Sequence, residues 1–202
     1  KPAITGLTIP GDGITNAENT FYVDAADNAG VYQIKAWVSP KGQNDWKEAG
    51  TETGVGTPNL TLTFTLKNIS GLTEGAHDLK VTVTDYYGNS ATEYGEFILD
   101  NTPPETPGLT AIGKPGGIKL HFTSESDDVT WYSINYKESA DDEFEYTINI
   151  AAEEYFHDLS SKIGTSYSYR IKAHDAAGNS SGYSGIKTAA ALSASPAITI
   201  VP

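Results

Sequence analysis

Hydrophobic residues recur at every second position through most of this chain. Leu60, Leu62, Phe64 and Leu66 alternate with Thr61, Thr63 and Thr65, and Leu79, Val81 and Val83 alternate with Lys80, Thr82 and Thr84. The same period runs through Ile118, Leu120 and Phe122, then Tyr132, Ile134 and Tyr136, then Tyr167, Tyr169, Ile171 and Ala173. A two-residue period puts one face of a strand in a core and the other in water, where Thr suits the pleated surface. No segment carries the apolar stripe of an amphipathic helix. Clusters of Gly, Pro, Asn and Asp punctuate these runs roughly every eight to twelve residues, the spacing of short antiparallel strands in β-sandwiches. The pattern predicts an all-β protein.

The stretch DNTPPETPG, Asp100 to Gly108, interrupts the pattern. Pro103, Pro104 and Pro107 remove backbone donors and fix φ, so no central strand passes through it. The 202 residues therefore divide into a sandwich over 1–101, a Pro-rich linker over 102–106 and a second sandwich over 107–188. Each is near the size, about 100 residues, at which small domains stand alone. Residues 189–202 are left as a tail or the start of a further repeat, because PAIT at Pro2–Thr5 returns at Pro196–Thr199. A chain that opens at Lys1 without a methionine reads as an excised piece of a longer array.

A second repeat is internal. DYYGNS, Asp85 to Ser90, returns as DAAGNS, Asp175 to Ser180. Each copy follows an alternating strand and precedes another extended segment. Asp at the first turn position can accept a hydrogen bond from the backbone two residues on, and Gly at the fourth can take φ > 0, as in a type I turn closed by a bulge. Asp85, Gly88 and Asn89, and likewise Asp175, Gly178 and Asn179, therefore read as structural turn residues that clamp a hairpin. The copies differ at Tyr86 and Tyr87, which are Ala176 and Ala177 in the second, so recognition is expected first at those tyrosines.

Thirteen Lys and Arg stand against 26 Asp and Glu, a net charge of −13. That balance opposes nucleic acid and anionic membrane surfaces, whose binding depends on dense positive charge. Cysteine is absent, which excludes disulfides and thiol chemistry. There is no run of 18 apolar residues to insert in a membrane.

The run GTSYSYRIKAHDAAGNSSGYS, Gly164 to Ser184, within Pro104 to about Thr188, resembles strand F, its hairpin and strand G of a fibronectin type III domain. On that resemblance Tyr167 is the tyrosine-corner residue, whose hydroxyl bonds back to an upstream backbone group. Leu159 falls two residues beyond the usual spacing from it, and Phe122 stands where many members carry a strand B tryptophan. The first half is similar to the immunoglobulin-like modules found in tandem in bacterial surface and secreted proteins. Its matching residues are DAADNAGV at Asp24–Val31, GAHDLKVTVTDYYGN at Gly75–Asn89 and FILDNTPP at Phe97–Pro104. The resemblance implies two consecutive antiparallel sandwiches, immunoglobulin-like then fibronectin type III. It also implies a secreted or cell-surface spacer or adhesion segment without catalysis, or an ancillary module of a secreted glycoside hydrolase or peptidase. The expected partners are other domains of the same polypeptide and a protein or polysaccharide, and the acidic, Thr-rich faces suit a monomer.

No catalytic residues are assigned. GYSG, Gly182 to Gly185, is one residue short of a hydrolase elbow and follows a hairpin instead of leading into a helix. Among the histidines, His77 shares the inward parity of Leu79, so it reads as a core residue satisfied by backbone; His121 and His174 fall on outward parity, and His157 is unassigned. In a sandwich the B–C and F–G loops share a pole, so Asp127, Asp128 and Asp175 are expected near Asp100, Asn101 and Glu105. Calcium is the cation that such oxygens would suit, and otherwise no cofactor is expected. The matching pole of the first sandwich gathers Asp24, Asp27, Asn28, Asp85 and Asn89. Trp46, Trp131, Tyr86 and Tyr87 are the expected ligand contacts, with Tyr183 near a hairpin end, although a tryptophan in an edge strand usually packs on its own sheet. Asn59, Asn68 and Asn179 lie in N-x-S/T sequons, relevant only in a host that glycosylates them.

Overall fold

The computed structural model describes residues 1–193, so the second PAIT stretch lies outside the described residues. The chain separates into two compact units, Lys1–Thr102 and Pro103–Pro202. Both are built from antiparallel sheets facing one another across a core, so the fold is all-β with two consecutive β-sandwiches.

Unit 1 contains β1 (Ala3–Thr8), β2 (Ile14–Thr15), β3 (Phe21–Ala26), β4 (Val31–Pro40), β5 (Lys47–Thr53), β6 (Asn59–Phe64), β7 (Gly75–Asp85) and β8 (Ser90–Leu99). One sheet has the order β1-β3-β6 and the other β2-β8-β7-β4-β5. The two-residue β2 pairs parallel with β8, so the chain switches sheets between β1 and β2. Inward residues of the alternating strands meet in one cluster in which Phe21 stacks on Phe64, with Val23, Ile34, Leu79, Val81 and Val83 fully buried. His77 joins this core at 1% exposure, stacked on Phe97. Its Nδ1 meets the Gly75 carbonyl at 2.9 Å, while Nε2 is buried without a hydrogen bond, so backbone satisfies only one of its nitrogens.

Unit 2 contains β9 (Gly108–Lys114), β10 (Gly117–Thr123), β11 (Val129–Glu138), β12 (Tyr146–Ile150), β13 (Glu154–Asp158), β14 (Ser166–Asp175) and β15 (Lys187–Ala190). Its sheets run β13-β10-β9 and β12-β11-β14-β15. Phe122, Tyr132, Ile134, Tyr169 and Ile171 form the core, with Phe122 and Tyr132 edge to face.

Three expectations for this half are corrected. The sandwich does not end at residue 188: Ala189 and Ala190 pair with Tyr167 and Ser166, and Ala191 is 1% exposed within the core, because β15 is needed to cover the start of β14. The Tyr167 hydroxyl donates to the Glu138 side chain at 3.0 Å, not to backbone, since a carboxylate on the neighbouring β11 comes within reach. Regular pairing of the last strand opens only at Lys187. Before it, the hydroxyls of Ser181 and Ser184 accept hydrogen bonds from Ala173 N and Ile171 N, replacing backbone carbonyls along β14. GYSG is therefore a pairing device, with Ser184 7% exposed.

Candidate functional site

The two repeated turns have the same chemistry. Asp85 Oδ1 accepts from Tyr87 N and Asn89 N, Oδ2 accepts from Asn89 Nδ2, and Gly88 sits at φ 81°. In unit 2, Asp175 Oδ1 accepts from Asn179 N, Oδ2 accepts from Asn179 Nδ2, and Gly178 sits at φ 90°. Both aspartates are 3% exposed, so these bonds are made away from water. The bonds from Asn89 and from the backbone hold the Asp85 carboxyl below its ordinary range.

What differs between the turns is what they display. Tyr86 lies edge to face with Tyr32 and its hydroxyl donates to the Gly54 carbonyl at 2.6 Å. Gly54 is itself wedged against the chain: a Cβ there would meet the Val31 carbonyl oxygen at 2.3 Å, so no other residue fits. The β7–β8 hairpin and the β5–β6 loop are thereby pinned together, and they leave Tyr87 79% and Val55 90% exposed. These exposed apolar groups thus stand on a support that the fold has already ordered.

Trp46 lies in the loop before β5, half-buried, with Lys80 Nζ 4.7 Å from its ring centroid and equally far from that of Trp37. Asn44, Trp46, Asp78, Tyr94, Gly95 and Glu96 line a cavity of about 330 Å³ beside it. Trp131 sits on the inner strand β11, not an edge strand, and its ring lies flat on His174 at 3.6 Å. His174 is on outward parity yet half-buried, bonded to Ser133 Oγ and Ser180 Oγ, and burial lowers its affinity for a proton. His121 is exposed, with Glu154 3.7 Å away. Tyr183, 41% exposed, covers the guanidinium of Arg170, whose other neighbour is Phe144.

The acidic residues fall as follows within each unit. Asp100 Oδ1 accepts from Thr102 N, and Asn101 Oδ1 accepts from Ala17 N. Glu105 N donates to Ser126 Oγ, Asp127 and Asp128 are exposed, and Asp175 is held by Asn179. At the unit 1 pole Asp27 Oδ1 accepts from Ala29 N while Oδ2 lies 3.4 Å from the terminal amine, and Asp24 Oδ1 accepts from the Thr61 hydroxyl.

One further cluster is assembled from residues that no sequence motif joins. Tyr136, Glu138, Tyr146, His157, Asp158 and Tyr167 line a cleft of about 280 Å³ in unit 2. His157 Nδ1 lies 2.8 Å from the Tyr169 hydroxyl, and burial lowers its proton affinity. Glu138 bonds to Lys162 and Tyr167 and is held below the ordinary carboxylate range by them, while Asp158 accepts from Ser160 N. His157, Glu138, Asp158 and Tyr167 each already have a partner, so the cleft reads as a polar seal that lets tyrosine rings enter the core. Alternation of Tyr155, His157 and Leu159 along and beyond β13 was the available signal.

No protein-family model matches the sequence, and no curated protein matches it either. The fold is similar to the solved FN1–FN3 domains of chicken CNTN1, with a TM-score of 0.67 and 12% identity. The match covers 94% of this chain and 64% of that one.

Proposed function

We propose that this chain is a non-catalytic spacer and adhesion segment of a larger secreted or surface-anchored bacterial protein. The observation that carries this reading is the pinned loop pole of unit 1, where Tyr86 fixes two loops to each other and Tyr87 and Val55 stand exposed on them. Two consecutive sandwiches suit a modular spacer, and a fold similar to a fibronectin type III tandem agrees with that role. Among the described residues no helix is long and apolar enough to cross a membrane. The partner at the pole is a protein surface, since Tyr and Val offer contact area at low conformational cost and no cation is needed to recruit it.

Beads coated with the chain test this on surfaces of collagen, fibrinogen, mucin and bacterial cell wall. Retention on at least one surface is expected, falling about tenfold or more in the Tyr87→Ser/Val55→Ser double variant. Retention on none of them, or retention untouched by the double substitution, would overturn the adhesive reading.

A further inference from the structure

The loop pole makes no use of the outward face of the five-stranded sheet in unit 1, and there we infer a binding site for a neutral polysaccharide. Trp46 and Tyr94 bring aromatic surface to the cavity of about 330 Å³, and Asp78, Glu96 and Asn44 bring polar groups to it. A pyranose ring needs this combination, an apolar plane for its C–H face and acceptors and donors for its rim of hydroxyls. Cavities of roughly 300–1,000 Å³ are typical for small-ligand sites, so this one has room for a short stretch of a sugar chain.

The site is fixed before any ligand arrives. Tyr94 lies directly across the β7–β8 ladder from Lys80, and Lys80 lies across the β4–β7 ladder from Trp37. The Lys80 ammonium is held between the rings of Trp37 and Trp46, which restrains the Trp46 side chain. The loop carrying Trp46 is tied down where Gly42 N donates to Asp78 Oδ2 at 2.7 Å, and Asn44 adopts a left-handed backbone at φ 55°. Tyr94 is 67% exposed, so most of its ring is open to a ligand.

Charge decides the class of sugar. Asp78 and Glu96 would repel a uronic acid or sulfated chain. Yet Glu96 is ion-paired with Lys41 and Asp78 holds the Gly42 amide, so a cationic sugar is not demanded either. Carboxylate oxygens bonded once still have lone pairs for hydroxyls, and uncharged hydroxyls are what remains to match them.

Native affinity electrophoresis is the test, since a net charge of −13 drives the chain through the gel. Gels contain hydroxyethylcellulose, barley β-glucan, glucomannan or soluble starch, with polygalacturonate as the anionic counterpart. Retardation is expected in at least one neutral gel and not with polygalacturonate. Tyr94→Ala should weaken the apparent affinity about tenfold while leaving the melting curve in place. Trp46→Phe should weaken it as well, and Tyr87→Ser should leave it unchanged, so this site and the loop pole fail separately. The inference is overturned by no retardation in any neutral gel, by retardation that survives both Tyr94→Ala and Trp46→Phe, or by equal retardation in polygalacturonate.

Discussion

Asp85 and Asn89 hold one another at three points: Asp85 accepts from the backbone and side-chain nitrogens of Asn89 at 2.9 and 2.7 Å, and Asp85 N donates to Asn89 O at 3.0 Å. Gly88 N also donates to Asp85 O at 3.2 Å and closes the turn. Replacing Asp85 with Ala leaves Tyr87 N, Asn89 N and Asn89 Nδ2 without their acceptor. Unsatisfied donors cost more than a bond contributes, so the melting temperature of unit 1 should fall by on the order of 10 °C. Amide hydrogen exchange along β7 and β8 localises the loss, and unchanged protection there would contradict it. Asp175→Ala should act alike on β14 in unit 2.

Tyr86 is expected to act through its hydroxyl more than its ring. Tyr86→Phe keeps the edge-to-face contact with Tyr32 but removes the bond to the Gly54 carbonyl. The loss should be about 1 kcal/mol. Faster exchange of amides between Gly54 and Pro58 would report the released loop, and retention in the bead assay should drop in step with it.

Arg170, the single arginine of the chain, lies 4.2 Å from the Phe144 ring and 3.9 Å from that of Tyr183. A planar guanidinium can stack flat against two rings at once, whereas a lysine ammonium offers them only a strongly hydrated point charge. Arg170→Lys should therefore destabilise unit 2 by about 1–2 kcal/mol, read from denaturant unfolding. A change within error would mean the stack is only decorative. Asn135 and Ser133, 9% exposed beside it on β11, should then exchange faster as the cover loosens.

How much of this was readable in advance depends on how far apart the partners lie in sequence. The Asp85 and Asp175 clamps were legible because every partner falls within four residues of the aspartate, where turn chemistry acts alone. The long strands were legible because Leu79, Val81 and Val83, or Ile118, Leu120 and Phe122, bury one parity and expose the other. The two-residue β2 was not, since two residues have no period to read. Trp46 could be named as a contact, but Tyr94, Asp78 and Glu96 could not, because they reach it only through the β4–β7–β8 register. His174 shows the same limit: parity put it on the outer face, yet Trp131 and two serines cover it there.

Unit 2 should lose stability as the pH falls below neutrality. His157 and His174 both have a proton affinity lowered in the fold, each chiefly by burial, with Lys172 adding to the effect at His174. Neighbouring Asp158 and Asp175 oppose the shift without cancelling it. Since the unfolded chain takes up protons near pH 6.5 while the folded chain resists them, the unfolded state binds more protons in that window, and stability rises with pH through it. The loss therefore begins as pH drops through 6.5 and stops below the lowered folded values. At lower pH, Glu138 and Asp158, whose folded values are depressed, add a second loss of the same sign as they protonate. Denaturation midpoints followed through β14 amides between pH 8 and 5 should show the first decline. His157→Gln should remove part of that slope and His157→Gln/His174→Gln most of it. A slope that is unchanged in the double variant would show that other groups carry it.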